Sequence, residues 1–298
     1  MLPYYRLTTL LCLTLLVAGC SRHLNAPLEP PAALHSASQQ TRVIEGLTYT
    51  PDDWPETLRA DVHLPADDGS ALRPAALVVH GGGWQRRDRS DMQGIAEQLA
   101  EAGFVAINIE HRFAPTYRFP AQLHDLQVAM RWLHQHADEW RIDTQRVVGV
   151  GFSSGAHLVG LLALSADQPE LATPHGGEHT RLQAVLAGGM PSDLFKFDDG
   201  RLVVQFLGGT RAEVPEQYRL ASPARQLGDT APPFFLFHGT QDRLVPLDHA
   251  EDFHQALLER GVHSELYLQR LRGHLTSFVT RGSAIDAGID FLSRQVSD

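Results

Sequence analysis

Cysteine and lysine are nearly absent from this chain, which has 2 cysteines in 298 residues, at Cys12 and Cys20, and a lone lysine, Lys196. Both cysteines precede Ser21, so the body of the chain offers no disulfide, no thiolate metal site and no cysteine nucleophile. A lone lysine argues against Schiff-base chemistry. The apolar run from Leu7 to Val17 falls short of the ~20 residues that cross a bilayer. Positive charge is scarce, with 25 basic residues against 35 acidic ones and a net charge of −10 with histidine neutral. With no basic cluster along the chain, that balance argues against nucleic acid or anionic lipid as a partner.

The first residues are organised for export. Arg6 precedes the run Leu7 to Val17, which has the length of a signal-peptide h-region. The run ends in Val17-Ala18-Gly19-Cys20, which resembles the bacterial lipobox. That resemblance implies a signal peptide over residues 1–19, lipidation of Cys20 and a place in the bacterial cell envelope, at the outer membrane and facing the periplasm. Ser21 to Thr41 is rich in Pro, Ala, Ser and Gln and lacks apolar periodicity. With Cys20 it reads as a flexible tether over 20–41, with a coil-like span of about 25 Å.

From Arg42 on, strand-like and helix-like runs alternate. Val43 to Tyr49 and Leu58 to Leu64 read as antiparallel opening strands. Ala75 to Val79, Phe104 to Ile109 and Arg146 to Val150 are short apolar runs of the kind that buried parallel strands show. Leu182 to Ala187, Phe234 to Phe237 and Glu265 to Leu268 continue the series. A helix is expected from Pro120 to Trp140, with Leu123, Leu126, Met130, Leu133, Ala137 and Trp140 forming one stripe. A second, Asp91 to Ala102, stops at Gly103, a C-terminal cap. Such alternation implies a single α/β domain over 42–298, with a mostly parallel central sheet and helices on both faces. Residues 188–231, between the last two central strands, are expected to form a small cap with an apolar underside from Leu202, Val203, Val204, Phe206 and Leu207.

Gly151-Phe152-Ser153-Ser154-Gly155 carries the chemistry. It lies between the strand-like Arg146 to Val150 and a helix-like run from Ala156 to Leu164, as a nucleophile elbow requires. Serine becomes a nucleophile only beside a general base, and ligands of open α/β sheets gather at the carboxyl ends of the strands. The residues just past each strand are therefore informative. His80-Gly81-Gly82-Gly83-Trp84 comes after one strand, and its glycines leave backbone N–H groups open to an oxyanion. Asp242 comes after Phe234 to Phe237, and His274 after Glu265 to Leu268. The chain order Ser153, Asp242, His274 is the one this architecture uses. Asp193, Asp229 and Asp248 compete with Asp242, but Asp248 fits a helix cap better.

Other candidates have plainer readings. His80 is expected to shape its loop, and Arg112 with Asp125 to form a structural ion pair. Trp84 either lines the acyl pocket or fills core. His175-Gly176-Gly177-Glu178-His179 matches a zinc-protease pattern, but Pro174 and two glycines oppose the helix that pattern needs.

Residues 75–298 resemble α/β-hydrolases of the carboxylesterase type. His80-Gly81-Gly82-Gly83 and His111-Arg112-Phe113-Ala114-Pro115 are similar to segments of the hormone-sensitive-lipase-like esterases. Gly151 to Leu158, and Pro232-Pro233 to Pro246, look more like bacterial feruloyl and acetyl-xylan esterases. Both groups usually carry Ala-Gly-Gly after the nucleophile, where this chain has Ser154-Gly155-Ala156. The resemblance implies a serine esterase for small or medium carboxylic esters, with Ser153 as nucleophile, His274 as base and Asp242 as its orienter. It also implies an oxyanion hole from the N–H groups of Gly82, Gly83 and Ser154, and no metal or organic cofactor. An arylformamidase or amidase with the same triad is the alternative, followed by a non-catalytic binding protein of the same fold.

Overall fold

The apolar runs become strands because both of their faces are covered. The computed structural model describes residues 21–27, 41–66 and 71–297; Cys12, Cys20 and the signal-peptide segment lie outside them. The strands are β1 (Arg22–Leu24), β2 (Arg42–Thr48), β3 (Arg59–Leu64), β4 (Arg73–Val79), β5 (Val105–Ile109), β6 (Ile142–Phe152), β7 (Ala184–Gly188), β8 (Phe234–Gly239) and β9 (Ser264–Gln269). Among the described residues, the helices longer than a single turn are α1 (Gln93–Glu101), α2 (Ala121–Gln135), α3 (Ser154–Ala163), α4 (Arg201–Leu207), α5 (Pro215–Leu220), α6 (Asp248–Glu259), α7 (His274–Val279) and α8 (Gly282–Val296). The strands form one sheet in the order β1-β9-β8-β7-β6-β4-β5-β3-β2. From β9 to β5 every pairing is parallel. β3 and β2 extend one edge antiparallel, and β1 pairs antiparallel with β9 at the other.

Side chains alternate between two cores, as the period of two requires. On β4, Leu77 and Val79 face one way, packing with Leu126 of α2, Leu158 of α3 and Phe253 of α6. Ala76 and Val78 face the other way, packing with Leu99 of α1 and Leu292 of α8. β8 repeats the pattern, with Phe234 and Leu236 on the first face and Phe235 and Phe237 on the second. Each fully buried side chain of this size contributes about 1.5–3 kcal/mol. This is the α/β-hydrolase architecture that the resemblance implies, with a mostly parallel sheet and helices on both faces.

Three expectations change. The helix expected to run unbroken to Trp140 ends at Gln135. The His136 N–H is shared between the Trp132 and Leu133 carbonyls, both at 3.2 Å, and a separate turn, Ala137–Trp140, comes next. β6 starts at Ile142 instead of Arg146 and runs to Phe152. Finally, Arg22–Leu24 belongs to the sheet as an edge strand on β9, where the sequence reads as tether. Three residues are too few to show a period, and their pairing depends on a strand more than 200 positions away.

Candidate active site

Ser153 occupies the junction of β6 and α3 at φ 56° and ψ −123°, a backbone region costly for a residue with a side chain. Its N–H donates to the Gly188 carbonyl at 2.7 Å, which anchors the turn to β7. The flanking glycines are steric necessities. A Cβ on Gly151 would lie 2.5 Å from the Gly155 carbonyl carbon, and one on Gly155 would lie 2.2 Å from the Val79 oxygen. Only without side chains can β6, α3 and the end of β4 cross this closely.

The three triad candidates meet. Ser153 Oγ lies 2.8 Å from His274 Nε2, and His274 Nδ1 lies 2.6 Å from Asp242 Oδ2. The other carboxylate oxygen of Asp242 accepts from the N–H groups of Leu244 and Val245, both at 2.9 Å. Burial is the largest single influence and opposes the charge on Asp242, but the His274 hydrogen bond and charge, the Val245 N–H and His238 together outweigh it and hold the carboxyl below the usual carboxylate range. An ionised Asp242 places the proton of neutral His274 on Nδ1, which leaves Nε2 free to accept from Ser153. His238, beneath Asp242, donates Nε2–H to the Val245 carbonyl at 2.8 Å. Burial pushes its pKa down, so it stays neutral there.

The glycine loop after β4 lies beside the nucleophile. A Cβ on Gly81 would sit 3.2 Å from that of Ser153. Gly82 and Gly83 adopt φ 125° and 64°, and among the described residues none accepts a hydrogen bond from their N–H groups. With Ser154, these glycines border a cleft of about 640 Å³ that also contains Ser153 and His274. Ser154 is buried, and its hydroxyl has no partner among the described residues.

Trp84 serves both of its readings. It borders the cleft, yet it is buried and stacks on Phe206 of α4 at a centroid distance of 4.5 Å. His157, on α3 one turn past Ser153, was not singled out from the sequence. It accepts from Trp84 Nε1 at 3.2 Å and faces the Ala221 carbonyl from Nε2 at 2.7 Å, so the proton sits on Nε2. Burial pushes its pKa down to about 4. One neutral imidazole thus ties the elbow helix, the glycine loop and the 188–231 insertion together. The available signal was a histidine inside the otherwise apolar run from Ala156 to Leu164, where burial obliges both ring nitrogens to find partners.

The remaining candidates are structural. Asp125 accepts from Arg112 Nε at 2.7 Å, from the Arg112 backbone at 2.8 Å and from Trp54 Nε1 at 2.9 Å. His80 stacks on His111 and contacts the Gly81 carbonyl. Asp248 does not cap its helix as expected. Leu247 is the cap residue, and Asp248 instead accepts from Lys196 Nζ at 3.0 Å. Asp193 caps a short turn through Phe195 N–H and pairs with Arg225. In the zinc-protease pattern, Gly177 has φ 136° ahead of a single 3-10 turn, so His175 and His179 do not share a helix face.

Known proteins resemble this chain in both sequence and fold. The esterase LipC of Mycobacterium tuberculosis is 31% identical over 211 residues, which cover 66% of this chain and 51% of that protein. The chain spans about half the length of the curated relatives it matches. A truncated carbohydrate esterase from gut microbiota superposes with a TM-score of 0.75 at 22% identity, covering 91% of this chain and 100% of that one. Esterase 2 of Thermogutta terrifontis superposes with a TM-score of 0.72 at 23% identity, covering 92% and 100%. These two likenesses are of fold. The BD-FAE family model matches residues 60–257, a stretch that holds the glycine loop, the elbow and Asp242, and the chain belongs to the BD-FAE family.

Proposed function

We propose that this protein hydrolyses small or medium carboxylic esters through an acyl-enzyme on Ser153. The observation that carries the reading is the unbroken relay from Ser153 Oγ through His274 to Asp242, opening on a cleft edged by Gly82, Gly83 and Ser154. The esterase names of the aligned relatives support it. His274 Nε2 takes the Ser153 proton as Oγ bonds to the ester carbonyl carbon. The carbonyl oxygen becomes an oxyanion held by the N–H groups of Gly82, Gly83 and Ser154, each worth about 10²–10³ in rate. The C–O bond to the alcohol breaks, and the alcohol leaves with the proton from Nε2. Water then gives a proton to the same nitrogen as its oxygen bonds to the acyl carbon, the bond from that carbon to Ser153 Oγ breaks, Oγ takes the proton back from Nε2, and the acid leaves. Asp242 stabilises the imidazolium in both halves without taking its proton. The lipobox resemblance at Cys20 supports a lipid-anchored protein at the bacterial cell envelope.

A series of p-nitrophenyl esters of increasing acyl length tests the reaction beside Ser153→Ala. Turnover of the short and medium members is expected, with at least about a 10³-fold loss in the variant. Undiminished turnover in Ser153→Ala would sink the mechanism, and cleavage of an aryl formamide but no ester would put the amidase reading first. Incorporation of labelled palmitate, abolished by Cys20→Ala, tests the anchor.

A further inference from the structure

The sequence has no basic cluster, but the fold assembles one. Three stretches far apart in sequence meet at the carboxyl ends of β8 and β9. β1 runs antiparallel to β9 with Arg22 opposite Leu268, so the chain entering β1 comes in at the end of the sheet that carries His274. The loops after β8 and β9 are laced together, with Gln241 N–H donating to the Arg272 carbonyl at 2.9 Å and Leu271 N–H to Thr240 Oγ1 at 3.0 Å. Arg22, Arg243, Arg270 and Arg272 are all exposed there. Between Gly239 and Pro246, and between Arg270 and Thr280, the only carboxylate is Asp242, which is buried and committed to His274.

The same end gathers exposed apolar surface. Seven large hydrophobic residues are exposed among those described, and four of them, Leu244, Leu271, Leu275 and Val279, lie on these two loops and α7. Leu271 is the most informative. It is 69% exposed and has φ 59°, a conformation that favours Gly, Asn or Asp. Neither the backbone nor the core calls for a leucine at this position.

We propose that this face docks on an anionic phospholipid bilayer, with the mouth of the cleft turned toward the lipid. The leucines enter the headgroup region while the arginines meet lipid phosphates, the division of labour that interfacial binding uses. Chain geometry agrees. Cys20 stands two residues before Arg22, within about 7 Å of extended chain, so an acyl group there holds this same face to the membrane. Leu244, Leu275 and Val279 also line the cleft, which gives an ester dissolved in the bilayer an apolar path to Ser153. The inference deepens the proposed function and rests on it for the substrate, whereas the docking chemistry stands on the exposed residues alone.

The test places a polarity-sensitive fluorophore on Leu271→Cys of the full chain. A second label goes on Glu259→Cys, at the opposite end of the sheet, and the unsubstituted chain serves as the labelling blank. With vesicles of phosphatidylcholine and phosphatidylglycerol, the label at 271 is expected to shift to the blue and become shielded from iodide, while the label at 259 is unaffected. A companion variant, Arg270→Glu with Leu271→Asp, keeps a residue suited to positive φ. It is expected to turn over p-nitrophenyl acetate in buffer at the unsubstituted rate, and an ester carried in the vesicles about tenfold more slowly. No shift at 271, equal shifts at both positions, or equal turnover of the vesicle-borne ester would each overturn the docking proposal. Failure of the unsubstituted chain to cleave p-nitrophenyl acetate would instead overturn the ester reading and leave docking to be decided by the labels.

Discussion

Asp242 is held by Leu244 N–H and Val245 N–H on one oxygen and meets His274 on the other. An amide in its place keeps the shape but favours the wrong imidazole tautomer. Asp242→Asn is therefore expected to lower kcat on p-nitrophenyl acetate by about 10⁴ while the urea unfolding midpoint stays close to the original. A variant within tenfold of the parent would show that His274 needs no such orienter. Ser154 makes the opposite case. Its N–H is the proposed oxyanion donor, but its buried hydroxyl has no partner among the described residues, so Ser154→Ala is expected to keep kcat and hold or raise stability by up to about 1 kcal/mol. A drop in kcat of tenfold or more would give that hydroxyl a role. Ser153, Asp242 and His274 were legible in the sequence because each ends an apolar strand run. His157 was not, because its partners, Trp84 and Ala221, are joined to it only by the fold.

Among the elements, the 188–231 insertion acts as a roof with a specific support. Phe206 of α4 is fully buried and stacks on Trp84, and a Cβ on Gly83 would lie 3.2 Å from Leu202 Cδ1. The insertion thus presses on the loop that holds the proposed oxyanion donors. Phe206→Ala is expected to cost about 3–5 kcal/mol of unfolding free energy and, by loosening that loop, to lower kcat more than it raises KM. Loss of stability with unchanged kinetics would contradict the coupling. The insertion's bounds and its apolar residues were legible in the sequence, because the strand runs on either side of it are. The central strands were legible as apolar runs, apart from the start of β6, and α1 from its periodicity, and Gly103 does end that helix at φ 94°. The break at His136 was hidden because the apolar stripe continues through it into Trp140. β1 was hidden because its three residues carry no period of their own.

Across the whole molecule, many of the histidines are buried as neutral rings. Burial pushes His111 down to about 3, and His157 and His249 down to about 4. An unfolded chain protonates such rings near 6.5, whereas the folded one resists until about 3–4. Stability is therefore full above pH 6.5 and is lost as pH falls from there toward 4. For His157 alone the lost contribution is about 3 kcal/mol at pH 4. Urea unfolding midpoints are expected to fall steadily between pH 7 and 5, and a flat or rising midpoint would contradict this. The exposed arginines of the proposed docking face come from separate stretches, and the β1–β9 register brings Arg22 to the end of the sheet that carries Arg243, Arg270 and Arg272. The central claim remains the chemistry of one serine. Treating the protein with a fluorophosphonate and locating the adduct by peptide mass spectrometry tests it most directly. A single adduct on Ser153, formed in the parent and suppressed in His274→Gln, is the expected result, and modification elsewhere, or equal labelling of the two proteins, would contradict it.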